Sequence, residues 1–341
     1  MGRYLSRRAV TTAITLLGIV VVVFFVVRVL PGDAAVLRAG PYADAERLAQ
    51  VRAQYGLDAP LYQQFWTYLT GVLSGDLGTS TVSNRPVVSE LLVRLPASLE
   101  LGLYAVGLAC LIGIPMGVLA AARQGGMVDR LVRIGVITGS SMALFWLGLL
   151  LIYVFFYRLG WFPGPIDRLP VGVEPPPHLT GLYTVDALLT GQPALAWQSL
   201  RSLMLPVLTL TVVLVAPVLK MVRQSMIEAL RSDYVRTARA MGMPTREVLL
   251  RDGLRNALLP VITAIGIVFG YMLGGNIIVE TLFSWPGMGR YAYQSIQNSD
   301  LEALQGFVIF VGVMYVLLNV LIDVLYGLID PRIRLGGKAS S

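Results

Sequence analysis

The chain has 341 residues, of which 55% are hydrophobic and only 14% are charged. So apolar a composition excludes a single soluble domain and indicates an integral membrane protein. The net charge of +7 is accounted for by basic residues in the predicted cytoplasmic loops, so no nucleic-acid partner is expected.

Six apolar segments are each long enough to cross the hydrocarbon core of a bilayer, which takes about 20 residues of helix. The sequence therefore predicts an all-α polytopic membrane protein with six transmembrane helices. We divide it into residues 1–98, with the first span and a long external loop, and residues 99–341, a five-helix core with a cytoplasmic loop at 228–260. The predicted spans are Ala9–Leu30, Leu99–Ala121, Ile134–Tyr157, Leu203–Val222, Val261–Val279 and Gly306–Ile329.

The first span follows three arginines, Arg3, Arg7 and Arg8, as the apolar part of a signal peptide would. Its apolar run exceeds the roughly 7–15 residues of a signal peptide, and Val26–Val29 offers no small residue for cleavage, so we expect an uncleaved anchor. With the N-terminus inside, the four cytoplasmic parts carry three, three, eight and three Lys or Arg residues, 17 of the 27 in the chain. This bias predicts that both termini are cytoplasmic.

The external loop from Pro31 to about Ser98 is predicted to contain a helix near Ala43–Tyr55. An aromatic segment follows, which is typical of chain resting at a membrane interface; its rings are Tyr62, Phe65, Trp66 and Tyr68. Two roles are equally expected for this loop: a structural cap over the outer ends of the spans, or a contact with substrate or a partner. The second external loop, Pro163–Trp197, is rich in Pro and Gly and is predicted to be irregular.

Charged residues within the spans are scarce. Asp323 lies inside the sixth span, and Glu280 and Asn276 lie near the outer end of the fifth. An intramembrane carboxylate suggests function, although a structural role is expected equally. Trp285, in the loop Phe283–Gly289, suits either a re-entrant turn or gate at the outer mouth, or an interfacial anchor. These four residues are our candidates for a pore or gate.

The cytoplasmic loop Glu228–Pro260 is polar, strongly basic and patterned as two short helices. In the first, the spacing of Tyr234, Ala238 and Met241 predicts one shared face, with the basic residues Arg236 and Arg239 on another. Gly242 and Pro244 are expected to interrupt this helix. Thr245 is the predicted N-cap of the second helix, with Leu250, Leu254 and Leu258 along one face. Such a helix–Gly–helix unit favours a docking surface over a loop lying on anionic membrane lipid.

The chain lacks the motifs of an enzyme. Its only histidine, His178, lies in an external loop, so neither a His-based metal site nor a His-assisted serine protease can be assembled. No GxxxxGK[ST] loop is present to hold ATP. We therefore expect no catalytic residue, no metal site and no cofactor in this chain, and any energy from ATP must enter through a cytoplasmic partner.

Eight short motifs carry a resemblance that runs nearly end to end. The chain resembles the permease subunits of binding-protein-dependent ABC importers, in the dipeptide, oligopeptide and nickel branch. The segment 234–242 is similar to the "EAA" loop of these permeases. Two positions differ from the general form, Arg236 where many have Glu and, further along, Arg255 where many have Pro, and both differences are similar to the peptide branch. The motifs are LPGD at 30–33, YGLD at 55–58, GDLG at 75–78, RLPASLE at 94–100, YVRTARAMG at 234–242, LRNALLP at 254–260, ETLFSWPG at 280–287 and DPR at 330–332.

This resemblance implies a type I importer permease in a bacterial inner membrane. A second homologous permease would complete the pore, and a solute-binding protein would deliver cargo outside. Two cytoplasmic subunits would hold ATP and Mg and hydrolyse the ATP. The resemblance also implies a coupling helix lodged in an ATPase groove, formed by Tyr234, Val235, Arg236, Ala238, Arg239, Ala240, Met241, Gly242 and Met243. Peptides are the leading cargo, with nickel and glutathione open, and a self-sufficient secondary transporter or channel is the alternative.

Overall fold

The computed structural model describes residues 2–29, 35–36, 44–56, 58–244 and 276–329, together with 247, 249 and the positions 261–262, 265–266, 268–270 and 272. Regular structure in these residues is helical, which confirms the all-α prediction. The first seven helices are α1 (Gly2–Val29), α2 (Ala45–Tyr55), α3 (Leu61–Leu73), α4 (Val87–Ala122), α5 (Met127–Ser141), α6 (Leu144–Leu151, continued by a π-helix at Ile152–Arg158) and α7 (Tyr183–Leu189). They are followed by α8 (Pro193–Arg231), α9 (Asp233–Ala240), α10 (Ile277–Leu282), α11 (Met288–Gln297) and α12 (Leu301–Ile329).

The core of the protein is the pair α4 and α8, of 36 and 39 residues. Both helices contain the predicted spans: α4 extends its span at the N-terminal end, and α8 extends its span at both ends. Gly113 and Gly117 let the two backbones approach, because a Cβ at Gly117 would lie 2.8 Å from the Val222 side chain and 3.1 Å from the Leu219 carbonyl oxygen. Small residues four positions apart allow this close approach of two helix backbones.

The third predicted span, Ile134–Tyr157, is not one straight helix. The axes of α5 and α6 meet at 99°, and the backbone is extended at Met142 and Ala143 between them. The hydroxyls of Ser140 and Ser141 both donate to the Ile137 carbonyl oxygen, at 3.1 and 2.7 Å. Serine side chains that bond the preceding turn compete with the backbone ladder and bend helices, which explains the break in an otherwise apolar run.

The fifth predicted span lies largely outside the described residues. Its predicted end at Val279 is wrong, because Asn276 is not helical and a separate helix, α10, begins at Ile277. Where the span is described, it packs on α12: a Cβ at Gly270 would lie 2.6 Å from the Tyr315 ring. Among the described residues, three helices are long and apolar enough to cross a membrane, namely Val87–Ala122, Pro193–Arg231 and Leu301–Ile322, and the bent pair α5–α6 makes a fourth.

The external helix predicted at Ala43–Tyr55 is confirmed as α2. The aromatic segment beyond it is α3, and two of its rings face inward: the Phe65 and Tyr68 centroids lie 5.2 and 5.6 Å from that of Phe24 in α1. Tyr62 and Trp66 stay exposed, as an interfacial segment requires. The aromatic segment is therefore both a packing contact with α1 and an exposed surface.

Candidate functional site

A buried carboxylate joins three helices on the predicted outer side of the protein. Glu280 of α10 is only 1% exposed. Its Oε1 accepts a hydrogen bond from the Ser98 hydroxyl of α4 at 2.7 Å, and its Oε2 accepts one from the Arg290 backbone N–H of α11 at 3.0 Å. The Ser98 hydroxyl in turn accepts from the Met288 backbone N–H at 2.8 Å. We call Ser98, Glu280 and Trp285, with the loop 283–289, the outer latch.

Two glycines make room for the Glu280 carboxylate. A Cβ at Gly287 would overlap the carboxylate itself, and one at Gly289 would lie 3.1 Å from Oε2 and 3.0 Å from the Ile277 backbone nitrogen. In the same loop Ser284 adopts a left-handed conformation with φ of 57°, which is uncommon for a residue with a side chain. Such local strain is typical of functional turns held in place by their surroundings.

Trp285 lies inside the protein. Its side chain is fully buried, and its indole Nε1–H donates to the Ala97 carbonyl oxygen of α4 at 2.9 Å. It packs in the core formed by α4 and α8, beside residues such as Leu101 and Leu203. A tryptophan in this position is not an interfacial anchor, so that alternative is wrong, whereas the gate role stays a prediction.

Of the other two gate candidates, Asn276 lies next to the latch. It is half-buried at the start of α10, where its backbone carbonyl oxygen accepts from the Glu280 backbone N–H at 2.8 Å. Its side-chain amide lies 3.4 Å from the Met272 sulfur and not at the Glu280 carboxylate. The side chain of Asp323 lies outside the described part of the chain, although its backbone belongs to α12.

A second buried network next to the latch was not predicted. Glu100 of α4 is 1% exposed and forms an ion pair with Arg168, which is 5% exposed. The other carboxylate oxygen accepts from the Thr184 backbone N–H at 2.8 Å and its hydroxyl at 2.6 Å. The Arg168 guanidinium lies 3.4 Å from the Tyr183 ring centroid and 5.9 Å from that of Trp285. The sequence signal was a lone Glu at the start of a span, which needs a counter-charge.

The loop 163–197 that supplies Arg168 is more ordered than the sequence indicates. It contains α7 and the start of α8. The Asp186 carboxylate of α7 accepts hydrogen bonds from the residues just before this helix. Although burial acts to raise the pKa of Asp186, the Thr180 hydroxyl and the backbone N–H groups of Thr180, Gly181 and Leu179 hold that pKa below its ordinary value. The loop that was predicted to be irregular is thus ordered internally by Asp186 and attached to α4 through Glu100.

An open cleft of about 540 Å³ lies beside Arg168, bordered by the first turns of α4 and by Pro286 of the latch loop. Its walls carry both signs of charge. The charged residues that line it are Arg85, Glu90, Arg94, Asp167 and Arg168. Its volume falls in the range of small-molecule sites, and a wall of mixed charge suits a zwitterionic ligand.

The helix α9, in the loop predicted to be cytoplasmic, confirms a short helix followed by a break. Gly242 has φ of 78°, the left-handed conformation that glycine adopts most readily. The Met243 backbone N–H donates to the Ala238 carbonyl oxygen at 3.2 Å, and the Met243 side chain packs on Ala238. This hydrogen bond and hydrophobic contact form a Schellman C-cap, which fixes the direction in which the chain leaves the helix.

The two sides of α9 differ in burial. Val235 and Ala238 are buried against Leu230 of α8 and Met243, whereas Met241 is 71% exposed. The side chains of Tyr234 and Arg239 lie outside the described residues.

The exposed part of α9 is basic and apolar. Arg236 pairs loosely with Asp233 at 3.5 Å, with both side chains exposed, and Ala240, Met241 and Gly242 are also exposed. The second predicted helix, with Thr245, Leu250, Leu254, Leu258 and Arg255, lies outside the described residues.

Removing the Ser98 hydroxyl tests the latch as a structural unit. Ser98→Ala is expected to lower the free energy of unfolding by about 1–3 kcal/mol, because it leaves the buried Met288 N–H unpaired and removes a donor from Glu280. Denaturant unfolding in micelles measures the change. Ser89→Ala is the matched control, since this exposed hydroxyl of the same helix donates only to the Pro86 carbonyl oxygen; equal losses in both variants would contradict the assignment.

Comparison with known proteins agrees with this architecture. Residues 113–335 match the model of the binding-protein-dependent transport system inner membrane component family, and residues 1–102 match the model of its N-terminal region. The membrane subunit of the MetNI methionine ABC transporter, in an inward-facing conformation, has the same fold, with a TM-score of 0.54, 17% identity, and coverage of 70% of this chain and 96% of that one.

Curated relatives align over almost their whole length. The chain is 44% identical over 333 residues to the "probable D,D-dipeptide transport system permease protein" of Escherichia coli K12, covering 98% of each. It is 37% identical to the dipeptide transport system permease protein of Alkalihalophilus pseudofirmus, covering 98% and 100%. It is 40% identical to the glutathione transport system permease protein of Salmonella typhimurium, covering 98% and 99%. The chain therefore belongs to the binding-protein-dependent transport system inner membrane component family, and is a permease subunit, a non-enzymatic multi-pass pore component, of an ABC importer.

Proposed function

We propose that this permease forms half of the pore of an importer for short peptides. The assignment of short peptides as the cargo rests on the relatives. Those reported above are named for D,D-dipeptides, dipeptides and glutathione, which are all small peptides. The mixed-charge cleft beside Arg168 supports this cargo, since a free peptide carries one ammonium and one carboxylate group. A second homologous permease would complete the pore, and an external solute-binding protein would deliver the peptide.

ATP energy enters, in this proposal, through α9. The exposed residues Arg236, Ala240 and Met241 form the surface offered to a cytoplasmic ATP-binding subunit, which holds ATP and Mg. Val235 and Ala238 have a different role: they are buried against Leu230 and tie α9 to the end of α8. Movement of α9 by the ATPase is thereby passed to α8 rather than absorbed by a flexible loop. This proposal places α9 and both chain termini on the cytoplasmic side of the membrane.

The outer latch is the element that would respond at the other end of the pore. Its loop is joined to α4 through Ser98 and Ala97, and α4 packs along α8. A change in the relative position of α4 and α8 must therefore strain or break the Trp285 and Glu280 contacts. We assign the latch the role of an outer gate, which is closed when these hydrogen bonds are made.

Competition for uptake tests the cargo. The complete complex, with its own solute-binding protein, is placed in proteoliposomes loaded with ATP, and uptake of radiolabelled Ala-Ala is measured. Unlabelled dipeptides are expected to suppress uptake strongly and glutathione to suppress it less, whereas Ni²⁺ should have no effect. Uptake of ⁶³Ni²⁺ that no peptide suppresses would overturn the peptide proposal and leave the family assignment intact.

A further inference from the structure

An ion pair far from the outer latch fastens the cytoplasmic side of the protein. Asp129, in the first turn of α5, is 2% exposed. Its Oδ1 accepts from Arg223 Nε at 2.7 Å, and its Oδ2 accepts from Arg223 Nη2 at 2.9 Å. The carboxylate and guanidinium thus meet edge to edge through two parallel hydrogen bonds, the most directional arrangement available to an ion pair. We call Asp129 and Arg223 the cytoplasmic clamp.

The turn between α4 and α5 is shaped to present Asp129. Gly125 is left-handed with φ of 77°, and its backbone N–H donates to Asp129 Oδ2 at 3.0 Å. The Gly126 N–H closes the turn on the Arg123 carbonyl oxygen at 2.9 Å. Asp129 therefore holds its own turn and Arg223 of α8 with the same two oxygens.

A second polar contact joins this turn to the last residue of α8. Arg231 Nη2 lies 3.4 Å from the Gln124 side-chain oxygen. Between the two polar contacts the helices meet through apolar side chains, with Val118 and Ala121 of α4 packed in one cluster with Val222 and Met226 of α8. Both polar contacts and apolar packing thus attach the α4–α5 turn to the final turns of α8.

The same end of α8 carries α9. After Arg231 only Ser232 separates the two helices, and Val235 and Ala238 of α9 pack on Leu230. A continuous chain of contacts therefore joins α9 to the last turns of α8 and these turns to the α4–α5 turn. Apolar packing alone lets helices slide, whereas a bidentate arginine–carboxylate pair fixes register, because its hydrogen bonds are lost with small displacements.

We propose that Asp129 and Arg223 are positioning residues for energy coupling: they lock the α4–α5 turn to the end of α8, so that displacement of α9 moves α4, α5 and α8 as one body. The clamp touches neither cargo nor nucleotide and acts through the helices it joins. This inference rests on the proposed role of α9 as the contact with the ATPase.

The test is the number of ATP molecules hydrolysed per solute imported, measured with the complete complex in proteoliposomes and the transported peptide. Asp129→Asn keeps the shape of the side chain and removes its charge. We expect uptake to fall about 10-fold or more, within the usual range of coupling between sites, while ATP hydrolysis persists, so that ATP used per solute rises by the same factor. Arg223→Lys keeps the charge without the fork and should give an intermediate ratio.

Two further variants separate coupling from mere stability. The exchange Asp129→Arg with Arg223→Asp restores an ion pair between the same positions and is expected to recover much of the uptake. Glu174→Gln is the control: it removes an exposed carboxylate from the loop between α6 and α7, away from α9 and from the clamp. Its ATP-to-solute ratio should equal that of the unmodified complex.

Each outcome decides the inference. An assembled Asp129→Asn complex with an unchanged ratio would overturn it, as would an assembled exchange variant that stays uncoupled. Loss of assembly in every variant, including Arg223→Lys, would assign the pair a structural role alone and equally overturn it. Failure of the clamp is distinct from failure of the proposed function: if variants of α9 such as Gly242→Pro also leave uptake unchanged, the coupling role of α9 itself is wrong.

Discussion

Replacing Arg168 by methionine is expected to lower the free energy of unfolding by about 3–5 kcal/mol, the cost of leaving one member of a buried ion pair unpaired. Glu100 would keep the two donors of Thr184 but lose its counter-charge, and the Gly181 carbonyl oxygen would lose the hydrogen bond that Arg168 donates at 2.8 Å. Denaturant unfolding of the purified permease in micelles measures the loss.

Two controls identify the cause of that loss. The double variant Glu100→Gln with Arg168→Met removes both charges and is expected to recover a large part of the stability, because the cost lies in the uncompensated charge rather than in the missing attraction. Arg236→Met breaks the exposed pair with Asp233 at 3.5 Å and should not change unfolding measurably, since exposed pairs contribute little. A loss below about 1 kcal/mol in Arg168→Met, small against the usual cost, would show that water reaches the network.

Replacing Gly242 by proline is expected to reduce ATP-driven uptake to background while the complex still inserts in the membrane. Proline fixes φ near −65°, whereas Gly242 has φ of 78°, so the Schellman cap of α9 cannot form and the chain must leave the helix in another direction. Gly242→Ala should lose only part of the uptake, because no atom of the residues that the structure describes lies within 4 Å of the added Cβ, so the backbone conformation carries the penalty.

The matched control for Gly242→Pro is Gly172→Pro. Gly172 is also left-handed, with φ of 85°, and among the described residues no atom lies within 4 Å of a new Cβ there, but it lies in the loop between α6 and α7, which is predicted to be external. The same backbone conflict there is expected to leave the amount of ATP used per solute unchanged. Wild-type uptake by Gly242→Pro would contradict the role of α9, as would equal losses in the two proline variants.

Features that depend on neighbouring residues in the sequence were predictable. The long apolar runs of α4 and α8 gave two spans, because each run alone exceeds the thickness of the hydrocarbon core. Gly242 indicated the end of α9. Each of these follows from local backbone preferences or from hydrophobic length, which the structure satisfies without help from distant residues.

Features that depend on distant partners were not predictable. Glu100 and Arg168 are separated by 68 positions, and Asp129 and Arg223 by 94, so neither pair leaves a pattern in the sequence. The bend after Ser141 was missed for another reason: hydropathy does not register that serine hydroxyls bond the preceding turn.

We propose that this chain moves solute only when cytoplasmic ATPase subunits act on it. The most direct measurement compares uptake of labelled dipeptide into three kinds of proteoliposome: the complete complex with internal ATP, the same complex without ATP, and this chain alone. We predict uptake only in the first, with Gly242→Pro abolishing it. Uptake by this chain alone, or by the complex without ATP, would contradict the account and indicate a self-sufficient transporter.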